Sequence, residues 1–198
     1  KMTEHTASRP ITGIAAISYC AVFAAIIAVL AQISIPLPGG VPLTLQTFGI
    51  MLAGIVLGAK KGCLSVIIYI LLGLVGLPVF AGFKGGAASV FGPTGGFIIS
   101  FWAVSLCSGI GYFLAKRAYA NTNSKALLYV LTLAGILIGA VLNYIVGIVW
   151  FSSITGNTMT AALQMCVLPF IVTDLIKVIL ALFIGPVLNR ALAKNGLI

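Results

Sequence analysis

Acidic side chains are almost missing from this 198-residue chain: Glu4 and Asp174 are the only two, and His5 is the only histidine. Catalysis by paired carboxylates, by a Ser/His/Asp set or by a Cys/His pair needs general acids and bases that these few groups do not supply. Metal and redox ligands are also short. Cys20, Cys63, Cys107 and Cys166 lie 43, 44 and 59 positions apart with no C-x-x-C pair, which reads as free buried thiols, so no metal is expected. No G-x-x-x-x-G-K-[ST] occurs, and the Gly-rich stretch at 82–96 neither follows a strand nor matches a phosphate loop. Charged residues amount to 7%, against roughly 25% in a soluble domain. Neither an enzyme nor an ATPase is expected, no cofactor is called for, and any energy source must be borrowed.

Hydrophobic residues make up 61% of the chain and gather in long runs. Runs of about 18 apolar residues span a bilayer core of about 30 Å, because each helical residue rises about 1.5 Å. Gly, Pro and Lys punctuation divides the chain into segments at 12–34, 44–59, 62–77, 96–118, 126–152 and 160–193. The expected fold is an all-α integral membrane protein of six transmembrane helices, with residues 1–10 as a tail and 11–198 as a single membrane domain. The first run is too long for a removable signal peptide and stays as a helix. Because the chain opens on Lys1 rather than Met, some leading residues are expected to come from expression or processing.

The net charge of +9 comes from eleven cations scattered in ones and twos, a pattern of topology signals rather than of a nucleic-acid surface. With a cytoplasmic N-terminus, Lys1, Arg9, Lys60, Lys61, Lys116, Arg117, Lys125, Arg190 and Lys194 fall inside and only Lys84 outside, a strong positive-inside bias. Both termini are then cytoplasmic, and the outward loops are 35–43, 78–95 and 153–159. The first two are apolar and rich in Gly and Pro. Irregular backbone at membrane depth persists only where protein buries it or it lines a cavity, which predicts a pocket near the extracellular side. Small residues recur four apart at Ala21/Ala25, Ala24/Ala28, Gly54/Gly58 and Gly135/Gly139, with Gly147 beyond. Such stripes serve either internal packing or a docking face.

Asp174 and Lys177 sit inside the last apolar run, where each ionised group costs about 2.5 to 3.5 kcal/mol even on lenient scales. At i and i+3 they share a helix face and either pair with each other or point jointly at a ligand. Counted from Pro169, they lie roughly 7 and 12 Å along the helix. Other polar groups are placed to join them: Thr44 and Gln46 open the second segment, Asn143 and Tyr144 lie in the outer half of the fifth, and Gly85, Gly86, Thr94 and Phe97 border an outer loop. An apolar cavity with a few directed hydrogen-bonding groups is the usual design of a small-molecule site.

The segments Val41-Pro42-Leu43-Thr44-Leu45-Gln46-Thr47-Phe48, Gly76-Leu77-Pro78-Val79-Phe80-Ala81-Gly82, Gly92-Pro93-Thr94-Gly95-Gly96-Phe97 and Val167-Leu168-Pro169-Phe170 through Asp174 and Lys177 together resemble the BioY family. These are biotin-specific S components of energy-coupling factor (ECF) transporters. Phe83-Lys84 departs from the smaller residues expected between the two glycine positions of that loop. The resemblance implies a vitamin receptor of the prokaryotic cell membrane, with biotin as transported ligand. It would dock through first-helix alanines, here Ala21, Ala24, Ala25 and Ala28, onto a transmembrane coupling protein driven by two cytoplasmic ATPase subunits. It also implies a ureido N–H on Asp174, Asn143 or Gln46 at the ring's polar edge, and Phe97 and Tyr144 against the bicycle. For Lys177 three roles stay open: orienting Asp174, contacting the ureido oxygen, or neutralising the carboxylate. The competing reading is a stand-alone secondary transporter or facilitator for biotin or a related small carboxylate, which would bring inverted repeats with broken midplane helices.

Overall fold

The computed structural model describes residues 13–37 and 40–195. The tail 1–10, with its charges and His5, lies outside the described residues, as do Pro38 and Gly39. In chain order the elements are α1 (Ile14–Gln32), β1 (Ser34–Ile35), β2 (Leu43–Thr44), α2 (Gln46–Leu57), α3 (Ala59–Leu74), α4 (Ala87–Val90), α5 (Gly95–Thr122), α6 (Lys125–Thr155) and α7 (Met159–Cys166). After a 3-10 turn at Leu168–Phe170 comes α8 (Ile171–Lys194). Among the described residues four segments are long and apolar enough to cross a membrane: α1, α5, α6 and the stretch Met159–Lys194. The 12 residues of α2 and 16 of α3 reach only roughly 18 and 24 Å at about 1.5 Å each.

Two expectations need correcting. The last segment is not one helix from 160 to 193: it breaks at Val167–Phe170, because Pro169 brings no N–H to the helical ladder and its ring crowds the preceding turn. The first two outer loops also have structure of their own. β1 and β2 pair antiparallel, Ser34 opposite Thr44 and Ile35 opposite Leu43, while Phe80 and Lys84 exchange backbone hydrogen bonds and α4 follows.

The centre of the bundle is α2, which carries no charge and is apolar all round, the signature of a helix enclosed by others. It packs against α1, α3, α5 and α8. Its reversal into α3 turns on Gly58 at φ 82°, a conformation that L side chains avoid. The long hairpin of α5 and α6 closes on glycines: a Cβ on Gly135 would stand 2.7 Å from the Gly111 Cα and 2.5 Å from the Cys107 carbonyl oxygen. The Gly135/Gly139 stripe is therefore internal packing, as is Gly54 against the Ser105 backbone. Gly135→Val is expected to cost about 1 to 3 kcal/mol through overpacking. It should appear as a lower melting temperature when the loss of monodisperse protein is followed on heating in detergent.

The four alanines of α1 fall on two faces. Ala24 is buried and Ala28 half-buried, whereas Ala21 and Ala25 are exposed beside Ile17, Val22 and Val29. On α8, Val172, Leu175 and Ile176 are exposed likewise. Apolar surface this extensive is stable against lipid rather than water.

The ends of the bundle differ in charge. Lys60, Lys61, Lys116, Arg117, Lys125, Arg190 and Lys194 lie at or near the end where α2 meets α3, α5 meets α6 and α8 finishes. There Asn189 draws the elements together, donating to the Val56 carbonyl at 2.8 Å and accepting from Tyr112 at 3.2 Å and Lys116 at 3.3 Å. Lys84 is the only cation in the described loops of the opposite end.

Candidate binding site

At that opposite end a cavity of about 590 Å³ opens beneath the β1–β2 turn and the 78–95 loop. Its size lies within the roughly 300 to 1,000 Å³ of small-molecule pockets. Five phenylalanines, Phe80, Phe97, Phe101, Phe151 and Phe170, contribute to its walls. Phe97 and Phe101 are one helical turn apart on α5, and the 3-10 turn that interrupts the last segment is what brings Phe170 into the wall.

The same break starts α8 at Ile171, putting Asp174 in the first turn, where the unpaired N–H groups of a helix favour a carboxylate. Asp174 is held from two sides. Its Oδ1 accepts from Lys177 Nζ at 2.6 Å, and its Oδ2 accepts a short hydrogen bond from the Tyr144 hydroxyl of α6. The Lys177 side chain is only 4% exposed and that of Asp174 21%, so the carboxylate is the more accessible partner. An ionised carboxylate has about four acceptor positions, and these contacts use two.

Asn143 and Gln46 are oriented by their own amides. Asn143 Nδ2 donates to the Phe97 carbonyl at 2.9 Å and to Ser100 Oγ at 2.8 Å, and Ser100 in turn donates to the Gly96 carbonyl at 2.7 Å. Because a carbonyl can only accept, the nitrogen must face α5, and Oδ1 is the uncommitted polar atom. Gln46 Nε2 donates to the Tyr69 hydroxyl at 2.8 Å, which donates to the Val79 carbonyl at 3.1 Å, leaving Oε1 free. Thr44 accepts from the Gln46 N–H at 3.3 Å at the entry to α2. The cavity thus gathers three oriented acceptors, Asp174, Asn143 and Gln46, and suits a ligand with N–H donors on an apolar body.

Of the residues singled out from the sequence, Thr44, Gln46, Phe97, Asn143, Tyr144, Asp174 and Lys177 all line this cavity. Gly85 and Gly86 do not: the Gly86 N–H donates to the Gly73 carbonyl at 2.6 Å and Gly85 packs on the Leu77 backbone, so they fasten the loop to α3. Phe101, Phe151, Phe170, Thr47 and Lys84 line the cavity without having been foreseen. Helical spacing carried the signal for two of them, since Phe101 follows Phe97 by four and Phe151 follows Tyr144 by seven.

Gln32, at the last position of α1, was also unforeseen. Its Nε2 is shared among the Ala28, Val79 and Phe80 carbonyls at 3.1, 3.2 and 3.1 Å, and its Oε1 accepts from the Phe83 N–H at 2.9 Å. One side chain thereby ties the 79–83 stretch to α1. Gln32→Leu is expected to speed hydrogen exchange at Phe83 and its neighbours by about tenfold or more, since each lost bond contributes about 1 kcal/mol net. Mass-spectrometric exchange on the detergent-solubilised protein would measure it.

The BioY family model matches residues 2–194. "Probable biotin transporter BioY" of Pyrococcus horikoshii is 42% identical over 169 residues, covering 85% of this chain and 93% of that one. "Biotin transporter BioY2" of Lactococcus lactis subsp. cremoris is 34% identical over 185 residues, covering 93% and 96%. Among solved structures, the crystal structure of the S-component for biotin from an ECF-type ABC transporter superposes with a TM-score of 0.77 at 34% identity, covering 91% of this chain and 95% of that one.

Proposed function

The chain belongs to the BioY family, and from that premise we propose that it is a membrane-embedded biotin receptor, the S component of an ECF-type importer rather than an enzyme. The observation that carries the ligand assignment is the arrangement of Asp174, fixed by Tyr144 and Lys177, beside the free oxygens of Asn143 and Gln46. Biotin's ureido ring offers two N–H donors to such acceptors. Asp174 accepts one, and Asn143 Oδ1 or Gln46 Oε1 takes the ring's other polar edge. The bicycle packs on Phe97 and the Tyr144 ring. Lys177 orients Asp174 through the contact between its ammonium and that carboxylate.

In this reading six helices cross the membrane, with α2 and α3 as short spans and the α7–α8 stretch as the sixth. The cationic end faces the cytoplasm under the positive-inside rule, both termini lie there, and the cavity opens outward from a prokaryotic cell membrane. Uptake requires a transmembrane coupling protein with two cytoplasmic ATPase subunits, which meets the outward Ala21/Ala25 face of α1. No metal, cofactor or nucleic acid enters the proposal.

Calorimetry on the detergent-purified chain tests it. One biotin per chain is expected, with no heat from lipoate or thiamine, and silence toward biotin would sink the receptor reading.

A further inference from the structure

Two lysines line the cavity, and their situations differ. Lys177 is sequestered: its Nζ lies 2.6 Å from Asp174 Oδ1 and its side chain is 4% exposed. Moving it to a ligand would strip Asp174 of its counter-charge inside the wall, which is unfavourable for a desolvated group. Lys84 is exposed on the 78–95 loop, and among the described residues it has no salt-bridge partner. The backbone beneath it is nonetheless fixed. Phe80 and Lys84 exchange N–H···O bonds at 2.9 and 3.2 Å, and the preceding Phe83 is held at φ 56° by its N–H bond to Gln32. A left-handed conformation in a phenylalanine is uncommon and persists only where its surroundings enforce it. The loop therefore presents an unpaired, strongly hydrated point charge on a flexible stem, from an anchored backbone, to a site whose other charges cancel.

Resting on the biotin reading above, we propose that Lys84 is the cation that meets the carboxylate of the ligand's side chain, making the site selective for the free acid over its neutral amide. The ureido ring is engaged at Asp174, deep against α6 and α8, and the valerate chain runs toward the loop. Lys84 pairs with its carboxylate there in a partly solvated setting, where an ion pair contributes modestly and is screened by salt.

Binding of biotin and of biotinamide, which has the same shape without the charge, is measured by calorimetry for the native chain, Lys84→Met, Lys84→Arg and Lys84→Glu. The native chain is expected to bind the acid about tenfold more tightly than the amide at low salt, and less selectively at 0.5 M salt. Lys84→Met should lose about tenfold for the acid and nothing for the amide. Lys84→Arg should keep the preference and Lys84→Glu invert it. Equal acid-to-amide ratios in native and Lys84→Met protein overturn the proposal, as does a native chain that does not discriminate. A native chain that binds neither compound overturns the biotin reading itself, a result distinguishable from the other two. Lys84 is exposed in a loop, so unchanged melting temperatures are expected and serve as the control for folding.

Discussion

Asp174→Ala is expected to weaken biotin binding by about ten- to a hundredfold and to lower the melting temperature of the empty protein. Two separate losses combine. The ligand loses a charge-assisted hydrogen bond, about 1.5 to 3 kcal/mol. The protein loses the counter-charge of Lys177, whose side chain is only 4% exposed; breaking a fully buried pair from one side costs about 3 to 5 kcal/mol, an upper bound for this part-buried one. Asp174→Ala/Lys177→Ala separates the two, because removing both charges relieves the unpaired ammonium without restoring the acceptor. The double variant should recover most of the melting temperature and none of the affinity. Isothermal titration and a thermal melt on the three proteins give the answer. Native affinity in Asp174→Ala would remove this residue from the site while leaving the family unaffected.

Ala25→Trp, alone or with Ala21→Trp, is expected to abolish energised biotin uptake in cells while the purified chain binds biotin within about twofold of native. Both alanines are exposed on α1 among apolar neighbours, and neither lines the cavity. Small residues on an outward helix face permit the close backbone approach that membrane helices use in place of a hydrophobic driving force. An indole there keeps the surface apolar but holds a partner helix away. Ala24→Trp is the contrasting case: Ala24 is 1% exposed and packed in the core, so its enlargement should damage the fold and lose binding as well. Radiolabelled uptake and co-purification of ATPase subunits read the effect. Uptake retained in Ala21→Trp/Ala25→Trp would move the docking face elsewhere.

The parts of the fold legible in the sequence were those with a one-residue cause. Apolar runs marked the helices α1, α2, α3, α5 and α6, and Gly58 marked the α2–α3 reversal. The break before α8 was hidden because an apolar run looks continuous in composition, although Pro169 stood in it. The polar residues that gather in the cavity were legible because a hydroxyl, amide or charge inside an apolar run has few other reasons to be there. Glycine near a loop fits close approach to a ligand and close approach to backbone equally well, and in the structure Gly85 and Gly86 meet backbone. Gln32 was illegible: a glutamine closing a helix is ordinary, and only the folding of the 78–86 loop back onto α1 brings it the Val79 and Phe80 carbonyls. Which pair of α1 alanines faces outward likewise depends on where α2 and α3 pack.

The Asp174–Lys177 pair also determines electrical work. Any rearrangement that carries the site through the membrane field works against the voltage in proportion to its net charge, about 2.3 kcal/mol per charge for 100 mV. A lone aspartate or lysine would make each delivery cycle depend on the potential across the membrane. The two charges lie 2.6 Å apart and cancel, so their passage costs almost nothing electrically in either direction. A receptor built this way can bind and release at a voltage set by the rest of the cell's metabolism.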